Sequence, residues 1–178
     1  MDDGAAAHLL GAQLPDMALP STDGTSVHWA QLPGQWVIYV YPMTGRPGVA
    51  LPDGWDGIPG ARGCSPQSCG FRDHYSALKA LNVGVFGLSS QSSGYQSEAR
   101  DRLHLPFQLL SDSTLALKAM LGLPTFTTAG MELFKRLTLI VENGKIIQVF
   151  YPVFPPDRNA DMVLEWLNAG KNTASNVG

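Results

Sequence analysis

Residues Trp36-Val37-Ile38-Tyr39-Val40-Tyr41 form an unbroken run of apolar, β-branched and aromatic side chains, closed by Pro42. A strand with one wet face alternates apolar and polar residues. A run without alternation reads as a strand covered on both faces. Two covering layers must therefore come from the rest of the chain. Its 178 residues suffice. A single domain of that size buries roughly two thirds of its unfolded surface and needs no disulfide or metal staple.

The covering elements are legible in outline. Ser65 caps a helix with Pro66 at its first position. Phe71, Tyr75, Leu78 and Leu81 follow at helical spacing, and Asn82 closes it. Val83 to Ser89 is a second strand, Tyr95 to Leu103 a second helix, and Phe107 to Leu110 a short strand. Ser113 or Thr114 caps a third helix reaching Met120. Strands 137–141 and 145–151 flank Asn143-Gly144, the strongest short hairpin signal. A last helix runs from Asp161 to Leu167. A small hairpin is expected earlier, with Pro20 to Gly24 as its turn. The order β-α-β-α, a third helix, then ββ-α requires a parallel, right-handed βαβ unit followed by an antiparallel pair. The fold class is α/β: a mixed central sheet with helices on both faces, the thioredoxin-like fold, extended by an N-terminal β-hairpin. Residues 1–12 are expected as a flexible arm, 13–168 as the domain and 169–178 as a flexible tail.

One stretch fits no element. From Pro42 to Gly63, ten of 22 residues are Gly or Pro. It is too long for an ordinary connection, so residues 43–60 read as an inserted loop, either a lid or a segment packed back on the domain.

Charge and cysteine content exclude several functions. With 12 Lys+Arg against 15 Asp+Glu the net charge is −3, which offers no bulk attraction to nucleic acid or anionic lipid. No apolar run reaches the ~18 residues of a membrane span. The acidic opening Met1-Asp2-Asp3-Gly4 is wrong for a signal peptide, so a reducing cytoplasm is the expected location. Two cysteines and four scattered histidines make neither a disulfide framework nor a zinc site. No metal or cofactor is expected, and His74 reads as a surface histidine.

Both cysteines fall at the start of the first helix. A helix N-terminus favours negative charge, and so favours the thiolate of Cys64; Arg62 adds to this. Cys69, a turn further in, is expected to be buried. Five residues of intact helix advance about 7.5 Å and rotate about 140°, beyond the reach of a disulfide, so a Cys64–Cys69 bond requires the helix to unwind locally. The alternative is two inert core thiols.

At this point the chain resembles the peroxiredoxins, and within them the peroxiredoxin Q, or bacterioferritin-comigratory-protein, branch. The stretch from Gly60 to Asp73 is similar to their active-site helix, with Gly63-Cys64, a second cysteine at Cys69, then Phe71-Arg72-Asp73. Residues 11–20 with Asp23-Gly24 resemble the family's opening, and 36–42 the strand before its active site. Residues 107–112 and 136–145 match two later motifs in order. The resemblance implies a thiol peroxidase. Cys64 would attack hydrogen peroxide or an organic hydroperoxide and Cys69 would resolve the sulfenic acid as a disulfide. Arg136 would hold the thiolate, and a thioredoxin- or glutaredoxin-type donor would restore the thiols. The implied assembly is a monomer or a homodimer.

The sequence also departs from that pattern. The family places a hydroxyl three residues before the nucleophile, where Ala61 stands here. Its Pro is found about fifteen residues early, in Tyr41-Pro42, with the insertion between the two halves. Thr44, just after Pro42, is the candidate to supply the hydroxyl, with Ser65 the weaker choice. Gln67 stands where the branch usually has Glu. Two rival readings remain on the same fold: a thiol–disulfide oxidoreductase or copper carrier, disfavoured by the cysteine spacing, and a non-catalytic redox sensor.

Overall fold

The computed structural model describes residues 2–175. Strands β1 (Ala18–Pro20) and β2 (Ser26–His28) pair as the antiparallel hairpin. Strand β3 (Gln35–Val40) leads through the Gly/Pro-rich loop to α1 (Cys64–Asp73) and α2 (Tyr75–Ala80). Then come β4 (Val83–Ser89), α3 (Ser93–Leu103), β5 (Leu109–Ser111) and α4 (Ala116–Met120). A hairpin of β6 (Thr125–Thr128) and β7 (Met131–Phe134) precedes β8 (Leu137–Glu142), β9 (Lys145–Phe150) and α5 (Asn159–Ser175). The central sheet has the order β5-β4-β3-β8-β9. Strands β3, β4 and β5 are parallel, and β8 runs antiparallel to both β3 and β9. This is the thioredoxin-like arrangement expected from element order.

Strand β3 is central and covered on both faces. Its alternate residues feed two cores. Ile38 and Val40 pack with Leu9, Leu19, Trp29 and Leu117 on one side. Val37 and Tyr39, continued by Tyr41, pack with Phe71 of α1, Leu78 of α2 and Val163 of α5 on the other. Full burial of each such side chain contributes about 1.5–3 kcal/mol. Gly84 is required on β4 because a Cβ there would lie 2.3 Å from the Trp36 ring. The turn at Asn143 (φ 48°) and Gly144 (φ 81°) has two positive φ values, as a tight two-residue hairpin demands.

Several expectations are corrected. The N-terminal stretch is not a loose arm. Ala6 and Leu9 are buried, and residues 11–14 bond to β9 through Gly11 N to Ile146 O (2.8 Å) and to the turn before it through Leu14 N to Gly144 O (2.8 Å), covering the sheet edge. The single helix expected over 65–82 begins at Cys64 and breaks at His74, whose φ/ψ of −98°/7° leaves the helical region. Ser65 therefore lies inside the first turn, and Gly63 holds the cap position without a side-chain cap. Neither Ser113 nor Thr114 caps α4. The carboxylate of Asp112 accepts from the N–H groups of Ala116 and Leu117. The hairpin of β6 and β7 was not expected. Helix α5 continues through residues 169–175, where a tail was expected; 176–178 lie outside the described residues.

Candidate active site

Helix α1 starts directly at Cys64. Gly63 before it has φ 109°, a left-handed backbone that L side chains rarely adopt. A Cβ at that position would lie 2.6 Å from Pro156. Glycine thus lets the turn before α1 seat against the turn before α5. The face of α1 made by Cys64, Gln67, Ser68 and Phe71 points into the sheet, at the i, i+3, i+4, i+7 spacing of one helix side. Cys64 is buried on this face, while Cys69 falls off it and is half-buried. The expected burial of Cys69 is thereby corrected: five residues of helix rotate it about 140° from Cys64.

Cys64 lines a cleft of about 490 Å³ whose far wall is the inserted loop, including Thr44, Arg46 and Trp55. Trp55 is buried with Ala61, Leu133 and the edge of Phe126, so this part of the insertion packs on the domain. The loop is also tied to α3. Glu98 receives Arg102 Nε at 2.7 Å and faces Arg46 Nε at 3.7 Å, and Arg102 Nη2 donates to Gly45 O at 2.8 Å. The Arg102 hydrogen bond holds the Glu98 carboxyl below its usual range. The Arg46 guanidinium lies 4.0 Å above the Tyr95 ring.

Arg136 immediately precedes β8 and is only 3% exposed. Its Nη2 donates to Cys64 Sγ at 3.0 Å, and to the carbonyls of Ala61 (3.1 Å) and Arg62 (3.2 Å). Nε reaches Gly60 O at 3.3 Å, and Nη1 donates to Gln67 Oε1 at 2.5 Å. Among the described residues no carboxylate pairs with this buried cation. An uncompensated buried charge is costly, and the sulfur of Cys64 is the one partner in reach that can become an anion. The Cys64 thiol itself points at Ala61 O, 3.8 Å away.

Behind the cleft, Tyr39 and Tyr41 are fully buried, and desolvation pushes both phenols above their usual value, so they stay neutral. Tyr39 OH donates to Ser68 Oγ at 3.0 Å, and its ring stacks on Phe71 at 4.8 Å.

The structure thus brings Cys64 and Arg136 together. Thr44 lines the same cleft, but its hydroxyl is engaged with Gln91 Oε1 (3.3 Å), which also accepts the Thr44 N–H at 3.0 Å. Cys69 shares an unbroken helix with Cys64. Sequence reasoning passed over Gln91, Thr138 and Asn159, which hold the site from β8, α5 and the loop after β4. Their bonds span up to 92 residues, and no local motif signals them.

Comparison with known proteins gives a consistent result. A model of the Redoxin family matches residues 9–164. Peroxiredoxin Bcp of Escherichia coli strain K12 is 30% identical over 158 residues, covering 86% of this chain and 91% of that protein. Peroxiredoxin bcp1 of Schizosaccharomyces pombe is 34% identical over 115 residues, covering 64% of this chain, which spans about half (51%) of that relative. Among solved structures, peroxidoxin BcpB of Mycobacterium tuberculosis superposes with a TM-score of 0.72 at 23% identity, over 90% of this chain and 96% of that one. At that identity the likeness shows the fold alone.

Proposed function

This chain belongs to the Redoxin family, and on that premise we propose that it is a thiol-dependent peroxidase in which Cys64 is the peroxidatic residue. The observation that carries the reading is the 3.0 Å contact from buried, carboxylate-free Arg136 to Cys64 Sγ. The guanidinium donates to the sulfur before reaction. The same donor can then follow the charge onto the departing peroxide oxygen.

In the first step the sulfur attacks the terminal oxygen of the hydroperoxide. An S–O bond forms, the O–O bond breaks, and the leaving alkoxide or hydroxide takes a proton to become alcohol or water. Cys64 is left as a sulfenic acid. Thr44, buried in the wall of the cleft, supplies the hydroxyl absent at Ala61. In the second step the Cys69 thiol attacks the sulfenic sulfur, releasing water and forming a disulfide. Both cysteines sit in one helix, so the first turns of α1 must open for this step. Gly63 and Gly70 flank the region that opens, and no side-chain cap holds it. A dithiol donor of the thioredoxin or glutaredoxin type then exchanges with the disulfide and becomes oxidised in turn. The cycle suits a reducing cytoplasm, with the chain as a monomer or homodimer. Among the described residues no helix is long and apolar enough to cross a membrane.

The test is turnover. With hydrogen peroxide, thioredoxin, its reductase and NADPH, the wild type should consume NADPH continuously, and Cys64→Ser should not. Equal rates for both would remove the assignment.

A further inference from the structure

We propose that His74 and Asp161 are positioning residues for the second step: they fasten the back half of α1 to α5, so that Cys69 stays in place while the turn carrying Cys64 opens toward it. The proposal rests on the reading of Cys64 as the peroxidatic thiol and Cys69 as the resolving one.

A carboxylate only accepts, so the proton lies on Nε2 of His74, which donates to Asp161 Oδ1 at 2.7 Å. Arg158 Nε donates to the other oxygen, Oδ2, at 3.0 Å and fixes the carboxylate from its own side. His74 is the residue at which α1 breaks, and its N–H still closes the last turn on Gly70 O at 3.1 Å. The clamp therefore joins the last turn of α1 to the first turn of α5. Further contacts fasten the same half. Gly70 lies so close to the start of α5 that a Cβ there would be 3.4 Å from Asp157 O and 3.6 Å from the Ala160 methyl. Phe71 is fully buried, and Arg72 Nη1 donates to Leu103 O at 2.8 Å.

The front half is held differently. Its bonds converge on the reacting sulfur: Arg136 binds Cys64 Sγ, Gln67 Oε1 and the carbonyls of Ala61 and Arg62. Oxidation of that sulfur changes the group at the centre of these bonds and touches none of those at Gly70 to His74. No side-chain cap secures the N-terminal end. Opening thus begins at Cys64 and ends where the back half is fastened, and Cys69 is the last residue before that half. There the Cys69 sulfur attacks the sulfenic sulfur of Cys64. The S–S bond forms, the S–O bond breaks, and the oxygen leaves as water with its own hydrogen and the thiol proton. A nucleophile on a fixed support meets its partner more often than one on a loose chain, because only one of the two must search.

Quench-flow with hydrogen peroxide and intact mass reads both steps, as the gain of one oxygen and then the loss of water. His74→Ala should leave the first rate within about twofold of wild type and slow the second about threefold to fivefold, the scale of one half-exposed pair. In excess peroxide the longer-lived sulfenic acid should take up a second oxygen more often, raising the sulfinic fraction by a similar factor. Asp161→Ala should behave alike. His74→Gln, whose amide can donate to the same carboxylate, should recover most of the second rate. An unchanged second rate overturns the proposal, and so does a faster one, which would make the clamp a brake on opening. Hydrogen exchange on the reduced protein needs no oxidant. The amides at 74 and 78, bonded to Gly70 O and His74 O, should lose protection about threefold or more in His74→Ala, while that of Gln67, bonded to Gly63 O, keeps its own. Equal protection at 74 and 78 in both proteins, or an equal loss at Gln67, overturns the proposal as well. A wild type that forms no sulfenic acid would count against the proposed function, and the exchange measurement would still decide on the clamp.

Discussion

Arg136 and Cys64 lie 72 positions apart in the chain, yet the guanidinium Nη2 sits 3.0 Å from the sulfur and donates to it. The same nitrogen holds the carbonyls of Ala61 and Arg62, so one side chain both faces the nucleophile and fixes the turn that presents it. Arg136→Lys should cut the second-order rate with hydrogen peroxide about 100-fold or more, since a single ammonium cannot reproduce the planar fork. Stopped-flow loss of intrinsic fluorescence would measure it. A rate within threefold of wild type would separate Arg136 from the chemistry.

Thr44→Val tests whether the inserted loop delivers the missing hydroxyl. The rate with peroxide should fall about tenfold, and Thr44→Ser should recover most of it. Unchanged rates in Thr44→Val would confine Thr44 to anchoring Gln91, a purely structural task.

Gly63→Ala tests the turn rather than the chemistry. The new methyl would meet Pro156 at 2.6 Å in a backbone with φ 109°. Strain and clash together should destabilise the fold by about 2 kcal/mol or more, lowering Tm by roughly 4–8 °C for a chain of this length. A calorimetric Tm equal to wild type would show that the two turns separate without cost.

Acid should loosen the N-terminus. The Asp3 carboxylate accepts from Ala5 N, Tyr151 OH and Lys135 Nζ, and these bonds lower its pKa from 3.8 to about 2. The folded value lies below the unfolded one, so Asp3 stabilises the fold above about pH 4. That contribution disappears as pH falls through about 2. The stability difference between wild type and Asp3→Asn should therefore be present at pH 6 and vanish near pH 2 in urea titrations. A difference independent of pH would contradict this.

What could be read from the sequence follows the range of the forces involved. Trp36 to Tyr41 and Asn143-Gly144 announce their structures through burial pattern and turn chemistry, both local. The hairpin of β6 and β7 turns at Ala129 (φ 49°) and Gly130 (φ 75°), and alanine in a left-handed conformation gives no turn signal. Its strands are short and only partly buried, so their pattern is weak. The break at His74 interrupts an apolar face that continues from Phe71 to Leu78, so periodicity alone joins the two helices. At the site, Cys64 could be found from its place at a helix start. Arg136 stood out only through the family resemblance, because nothing local distinguishes an arginine before a strand. Thr138 and Asn159 contribute through contacts made after the sheet and α5 have assembled.

The central claim is that Cys64 reacts with peroxide and Cys69 resolves the product. Rapid mixing of the reduced protein with one equivalent of hydrogen peroxide, acid quench and intact mass test it most directly, with wild type beside Cys69→Ser. The wild type should lose two hydrogens within the dead time in which a free cysteine stays reduced, and the variant should gain one oxygen on Cys64. Both proteins remaining reduced, or the oxygen appearing on Cys69 of a Cys64→Ser protein at the same rate, would contradict it.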